Sequence, residues 1–425
     1  MIHSEAVPRH LRCHTPRKQF GGSKNGQTKG AVVSIQVMSD TVFAVYSDMS
    51  VGTYKWGPSR NAKHPFMIRM DKHKVIGGRE LSTSRSAIIR GSAAPQSMED
   101  SNSCHSIGNW SICLTLGGEA KEILRRKTQM QSSRLTSSAK DVLSAAEVNS
   151  LLVSCGYWDD CIKVHSADGL RLQCSDNGGH RGPIRCLALG DDGALMVTGG
   201  QDTTCRVWVV DHPDMAVALS GGYVKTALGK NTDGERILAC CHVLWGHVAP
   251  VTCIAISSDL DVVVSGSLEG NLCVHRVRRG KFVRSIRTPN YDGDRPNAVR
   301  KLVLDSSGTL IAHMEDCWLH AMTVNGVHLC SVDAGEKLQD MKVTSNGEIL
   351  ITGGDHCQLV FRACRNLEVL SVLDISRHGP IRCIALTPDD LNPIPQFLFV
   401  GSDDGMITVV EEDPMSNDSD VLAFD

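Results

Sequence analysis

The chain has 425 residues, 41% of them hydrophobic but only 4% aromatic, so aliphatic side chains and cysteine must fill most of any core. That content excludes a collagen-like or wholly disordered chain. The balance of 44 Lys+Arg against 47 Asp+Glu, a net charge of −3, supplies no basic field, and no nucleic acid is expected among the partners.

Residues 1–30 hold Arg9, Arg12, Arg17, Lys18, Lys24 and Lys29 against Glu5 alone. No apolar run follows these charges, so the segment reads as a basic arm or linker, able to lean on an anionic membrane, and not as a secretory signal. Short alternating strands begin in VVSIQVMSDTVFAVYSDMSVGTYKW from Val32. Residues 57–147 are rich in Ser, Gly, Lys and Arg and poor in periodicity, which predicts a long, largely disordered insertion. Residues 109–114 are the one strand expected to return from it, and Ser84, Ser86 and Ser133, in basic surroundings, are candidate phosphorylation sites.

Beyond the insertion the chain repeats itself. GHRGPIRCLALGDDGALMVTGGQDTTCRVWVV from Gly179, GHVAPVTCIAISSDLDVVVSGSLEGNLCVHRV from Gly246 and RHGPIRCIALTPDDLNPIPQFLFVGSDDGMITVV from Arg377 share one grammar. Each has a His-containing turn, an apolar strand with Cys at a matching place, a second strand ending in a small residue and Gly, an acidic turn and a third strand. Weaker copies start at Ser150, Ala298 and Leu338, and Ser154 to Thr198 spans 44 positions. A period of about 40 to 45 residues with short strands predicts an all-β, seven-bladed WD-repeat β-propeller over residues 31–411, with a second loop insertion at 211–241 and an acidic tail at 412–425. No blade can bury both its faces alone; closing the ring removes that exposure and leaves only short protected edges, so blade number matters more than any one contact. The last copy has no outer strand after Val410, which leaves residues before Val32 to provide one.

Residues 237–258 lack Asp, Glu, Lys and Arg and are long enough to span a bilayer, but His242, Gly246, His247 and Pro250 in their middle argue for strands. Seventeen cysteines, unevenly spaced in so large a chain, suit a reducing compartment better than a disulfide scaffold. The pairs Cys240-Cys241-His242, Cys104-His105 and Cys13-His14 lack the C-x-x-C spacing of zinc sites, so no metal and no cofactor is expected. Cys186, Cys253 and Cys383 recur at one strand position, as small hydrophobes do. No G-x-S-x-G, P-loop or H-E-x-x-H sequence is present. Acidic pairs such as Asp159-Asp160, Asp191-Asp192 and Asp403-Asp404 fall in turns, where Asp bonds the local backbone, so no catalytic residue is assigned.

The unit with Gly179-His180, Thr198, Asp202 and Trp208 resembles the WD repeat, which implies that His180, Thr198, Asp202 and Trp208 form a buried hydrogen-bonded lock. In the next unit His247, Ser265 and Glu269 take the corresponding places, with His275 where Trp would stand, so a weaker lock is expected. The order of units, with SCGYWDDCIKVHS carrying Cys155, Gly156, Trp158 and Asp159, looks like the C-terminal propeller of the BEACH-domain family, which includes neurobeachin and the beige-like anchor proteins. That resemblance implies a non-enzymatic scaffold whose top and rim loops hold protein partners in vesicle, lysosome or autophagy trafficking, cytoplasmic and peripheral on endomembranes. It also implies a BEACH domain upstream, in cis if the sequence is a fragment of a longer chain and otherwise in trans. The alternative readings of the same disc are a substrate receptor of a ubiquitin ligase or a signalling adaptor.

Overall fold

A computed structural model describes residues 11–14, 30–38, 41–47, 50–58, 66–75, 111–115, 151–155, 160–166, 171–190, 193–210, 219, 226–228, 238–289, 297–344, 346–375, 379–387 and 397–412. Among these, 29 strands form seven antiparallel sheets, and the sheets are the blades of a propeller.

Strand β1 (Leu11–His14) precedes the first blade, which comprises β2 (Val32–Met38), β3 (Thr41–Tyr46), β4 (Ser50–Pro58) and β5 (Phe66–Val75). Blade 2 is β6 (Ser111–Thr115), β7 (Leu151–Cys155), β8 (Ile162–Ser166) and β9 (Leu172–Asp176). Blade 3 has β10 (Ile184–Leu189), β11 (Leu195–Gly200), β12 (Cys205–Val210), β13 (Thr226–Leu228) and β14 (Leu238–Leu244). Blade 4 follows with β15 (Val251–Ser257), β16 (Val262–Ser267), β17 (Asn271–Arg276) and β18 (Lys281–Arg287). Blade 5 is β19 (Val299–Leu304), β20 (Thr309–Met314), β21 (Trp318–Thr323) and β22 (His328–Asp333). Blade 6 is β23 (Leu338–Val343), β24 (Ile349–Gly354), β25 (Gln358–Ala363) and β26 (Val369–Asp374), and blade 7 holds β27 (Ile381–Leu386), β28 (Phe397–Ser402) and β29 (Ile407–Glu412).

The ring closes through the N-terminal arm. Strand β1 pairs antiparallel with β29, Leu11 opposite Glu412 and Cys13 opposite Val410, and becomes the outer strand of blade 7. The inner strand of blade 1, β2, packs beside β27 and β28, so first and last blades are neighbours. Of the segment read as an arm or linker, four residues are therefore part of the disc.

Burial follows position in the blade. The second strands β11, β16 and β24 are buried along their whole length, because neighbouring blades cover both faces and alternation disappears. Outer strands β9, β18 and β22 are largely solvent-facing. The apolar clusters lie between blades: Cys186, Val197 and Val207 of blade 3 pack on Val251, Ile254 and Ile256 of blade 4. Val32, Ala44 and Tyr54 of blade 1 pack on Cys383, Phe399 and Val409 of blade 7. Each such aliphatic residue contributes roughly 1.5–3 kcal/mol when fully buried, available only once the neighbouring blade is in place.

The small-residue-plus-Gly ending of the second strands has a packing cause. A Cβ on Gly199 would stand 2.7 Å from Val251 Cγ1 and 2.8 Å from Cys186 Sγ. At Gly401 it would stand 2.6 Å from both Cys383 Sγ and Val32 Cγ1. The first residue of the next blade's inner strand occupies the space that a side chain would need. Those inner strands carry a matching irregularity in register, between Ile184 and Cys186, Val251 and Cys253, and Ile381 and Cys383.

The strands add detail to the sequence boundaries. The insertion between early blades set at 57–147 also carries β5, the outer strand of blade 1, and β6, the strand expected from residues 109–114. FMIRMDKHKV interleaves four basic residues and an Asp with apolar ones, which an edge strand tolerates but which obscures its period. The remainder, with Ser84, Ser86 and Ser133, lies outside the described residues. The second insertion, set at 211–241, includes β13 as a fifth strand and the start of β14, which pairs with β12. Residues 237–258 contain β14 and β15, and among the described residues no helix is long and apolar enough to cross a membrane.

Candidate interaction surface

Every blade enters its inner strand from the same end of the disc, and the turn between its second and third strands lies at that end. A backbone hydrogen bond ties the two together in several blades: Gln201 N to Pro183 O, Leu268 N to Pro250 O, Glu315 N to Ala298 O and Asp403 N to Pro380 O. These connections form one loop-bearing face, held by a rigid frame of strands.

In blade 3 the frame is locked by side chains. His180 Nδ1 lies 3.1 Å from both carboxylate oxygens of Asp202, and its Nε2 lies 2.9 Å from Thr198 Oγ1. Trp208 Nε1 donates to the same hydroxyl at 3.0 Å. The donor directions follow from the ends: the indole can only donate and the carboxylate can only accept. Trp208 N–H thus points to Thr198, Thr198 O–H to His180 Nε2, and His180 Nδ1–H to Asp202. The carboxylate also accepts from Arg181 N at 2.9 Å and Thr204 Oγ1 at 2.8 Å. Burial alone would raise the Asp202 carboxyl, but His180 and these donors outweigh it and hold it well below the usual carboxylate range.

Blade 4 is built differently. His247 Nε2 lies 2.8 Å from Ser265 Oγ, while its Nδ1 faces Cys273 Sγ at 3.7 Å where a carboxylate would be expected. Glu269 is exposed and stands outside this chain of bonds. The turn after β16 sends it outward, which corrects its placement among the lock residues. His275 bonds Trp245 O through Nε2 at 2.9 Å and meets Phe282 edge-on, with ring centroids 5.3 Å apart. Burial, and then the neighbouring His275, lower His247 to about 4.

Blades 5 and 6 use substitutes that the repeat grammar does not reveal. Asn297 Oδ1 accepts from Asp316 N at 3.3 Å, and the buried Glu336 accepts from His356 N at 2.6 Å. Each stands two residues before its inner strand, whereas His180 and His247 stand four before theirs. A search for that offset together with an acceptor side chain would have found them.

Around the face, the second residue of the inner strand pairs with the turn. Arg185 donates to Gln201 Oε1, Arg300 pairs with Glu315, Gln339 donates to Asp355 at 3.3 Å and Arg382 pairs with Asp403 at 2.9 Å. Lys337 joins Glu315 at 3.0 Å. Asp404 accepts from Ser402 Oγ and Met406 N. The carboxylates of the Asp403-Asp404 pair are thus engaged in holding a turn.

Most of the described cysteines line interior packing. Cys240 and Cys241 point to opposite faces of β14, one into the cluster shared with blade 2 and the other into that shared with blade 4. Burial raises the Cys253 thiol to about 12 and the Cys383 thiol further. Among the described residues no group of three His, Cys, Asp or Glu side chains could hold a metal ion. Cys155 is buried in β7, whereas Gly156, Trp158 and Asp159, with Cys104 and His105, lie outside the described residues.

Residues 120–415 match the family model described as the neurobeachin beta propeller domain, more than two thirds of the chain. The chain belongs to this family. Among curated proteins, the neurobeachin-type propeller is 30% identical over 227 residues to "BEACH domain-containing protein B" of Arabidopsis thaliana, covering 52% of this chain and 8% of that protein. It is 24% identical over 382 residues to "BEACH domain-containing protein lvsE" of Dictyostelium discoideum, covering 88% of this chain and 14% of that protein. A third match, "BEACH domain-containing protein lvsD" of the same organism, is 26% identical over 153 residues, 33% of this chain and 4% of the relative. The chain therefore spans a small fraction of the length of these relatives.

Proposed function

We propose that this chain is a non-catalytic protein-interaction scaffold, the propeller module of a BEACH-type protein, serving membrane trafficking on the cytoplasmic side of endomembranes. The observation that carries the scaffold reading is the loop-bearing face on a closed seven-blade frame, in a chain that belongs to the neurobeachin propeller family. Loops on such a frame bind by presenting side chains at fixed spacing, with no reaction required. The trafficking part rests on the BEACH domain named in the relatives, and it includes an encounter with a BEACH domain in cis or in trans. The basic residues before Val32 would add contact with anionic lipid at roughly 1 kcal/mol per charge near the surface.

Proximity labelling with the full chain in cells tests this reading. Enrichment of vesicle, lysosomal or autophagy components supports it. Recovery of a ubiquitin-ligase core in their place would move the same disc to the substrate-receptor reading, and turnover of an ester or phosphate substrate lost on Asp403→Asn would move it to the enzymes.

A further inference from the structure

The polar pairing around the loop-bearing face is interrupted at blade 4. At the position held by Arg185, Arg300, Gln339 and Arg382 in other blades, blade 4 has Thr252, which turns inward and donates to Gly266 O at 3.1 Å and to Val299 O. Its turn partner is Leu268, an exposed side chain in place of an amide or carboxylate. The loop entering the blade adds Trp245, 67% exposed, and Val248, 79% exposed, and Pro250 of that loop bonds the Leu268 backbone. Phe282, 49% exposed, reaches within 3.4 Å of where a Gly246 Cβ would stand, next to Trp245. The other large apolar side chains exposed among the described residues lie on outer strands or, for Val327, in a rim turn. Trp245 and Val248 on the entry loop and Leu268 on the turn bonded to that loop are costly to leave in water and offer an anchor site for a partner.

Charge selects the partner. On the blade 3 side stand Arg181, exposed, and Arg185, whose guanidinium bonds the neutral Gln201 amide and, among the described residues, pairs with no carboxylate. Asp202, in the turn of the same blade, is occupied by His180, and Asp176, at the start of the connection into blade 3, accepts from Gly178 N at 2.9 Å. A flat anionic membrane would have to meet Glu315, Asp355 and Asp403 as well as Glu269 on the same face, whereas a short peptide over the inner loops of blades 3 and 4 meets Glu269 against the two guanidinium groups of Arg181 and Arg185. We infer that the loop surface of blade 4 docks a short linear peptide segment in which a bulky apolar anchor is flanked by carboxylates. The anchor seats among Trp245, Val248 and Leu268, and an acidic neighbour reaches Arg185 or Arg181. This rests on the scaffold reading and gives it a site and a ligand chemistry.

The test uses the full chain and three fluorescent ten-residue peptides with a central Leu-Phe, flanked by Asp, by Lys, or by Ser and Gly, together with phosphatidylserine vesicles. Saturable binding is expected for the Asp peptide, about tenfold tighter than for the Lys peptide. Trp245→Ser and Leu268→Ser each weaken it by about tenfold with an unchanged melting temperature, because both side chains are exposed. Arg185→Glu abolishes the preference for Asp over Lys. The proposal is overturned if the Asp peptide does not saturate by about 1 mM, if it binds no better than the Lys peptide, or if Trp245→Ser leaves it unchanged. Vesicle binding that depends on Trp245, with no peptide binding, assigns the patch to lipid and overturns it equally. Cellular partner capture that is undiminished by Trp245→Ser, beside absent peptide binding, removes this site while leaving the scaffold reading intact; loss of all capture by the wild-type chain removes the scaffold reading itself.

Discussion

Blades 3 and 4 are adjacent, share an apolar cluster and begin with the same Gly-His, yet they hold their loops by different chemistry. In blade 3 an ionised Asp202 terminates a line of three donations from Trp208 through Thr198 and His180. In blade 4 the line runs from Ser265 through His247 and ends on a thiol, and burial disfavours charge both on His247 and on His275 beside it. A blade spared from anchoring a carboxylate is free to present its turn outward, and blade 4 presents Leu268 and Glu269.

The contrast can be broken most severely at Trp208. Trp208→Ala removes a fully buried indole, opens a cavity between blades 2 and 3 and takes away the donor to the Thr198 oxygen; a loss of about 3–5 kcal/mol is expected in urea denaturation. Asp202→Ala leaves the His180 N–H, the Arg181 N–H and the Thr204 hydroxyl without their acceptor and is expected to cost about 1–3 kcal/mol. If it costs no more than Glu269→Ala, the two blades are locked alike and the distinction fails.

Acid sharpens the comparison. His247 titrates near 4 when folded, below the usual histidine value, so the unfolded chain binds the extra proton first. Its contribution is complete above about 6.5, the unfolded histidine value, and is lost as pH falls towards 4. Buried His313, whose Nε2 accepts Leu338 N at 3.0 Å across to blade 6, is likewise lowered to about 4, by burial and then by Lys301. Taking the pH from 7 to 5 should cost on the order of 1 kcal/mol per such histidine. Asp202, whose carboxyl is held below the usual carboxylate range, keeps its charge over that interval and goes on accepting from Arg181 N and Thr204 Oγ1. Amide exchange by strand is the measurement: protection should fall in β15–β18 and β19–β22 before β10–β12, and a simultaneous loss would contradict the assignment.

The smallest effect is expected at Glu269, where Glu269→Gln should change stability by less than about 0.5 kcal/mol. A larger loss would mean that the side chain joins the lock after all.

Much of this was legible in the residue order because the features are local. The spacing of His180, Thr198, Asp202 and Trp208 and the recurrence of Cys186, Cys253 and Cys383 follow from short strands and tight turns. The want of an outer strand after Val410 pointed to β1, since the edge of β29 needs a partner. What stayed hidden depends on substitution or on edges. Asn297 and Glu336 perform the histidine's task from a different offset, and β5 and β13 sit at sheet margins, where one face need not be apolar. The exposure of Trp245 could not be read either, because a Trp beside Gly-His looks the same whether it faces the core or water.

The clasp between β1 and β29 sets a timetable for biosynthesis. A ribosome releases Leu11–His14 early and Ile407–Glu412 nearly four hundred residues later, roughly 20–80 s apart at ordinary elongation rates. Throughout that interval the first strand has no mate, and the disc can be sealed only when translation of the last blade is done.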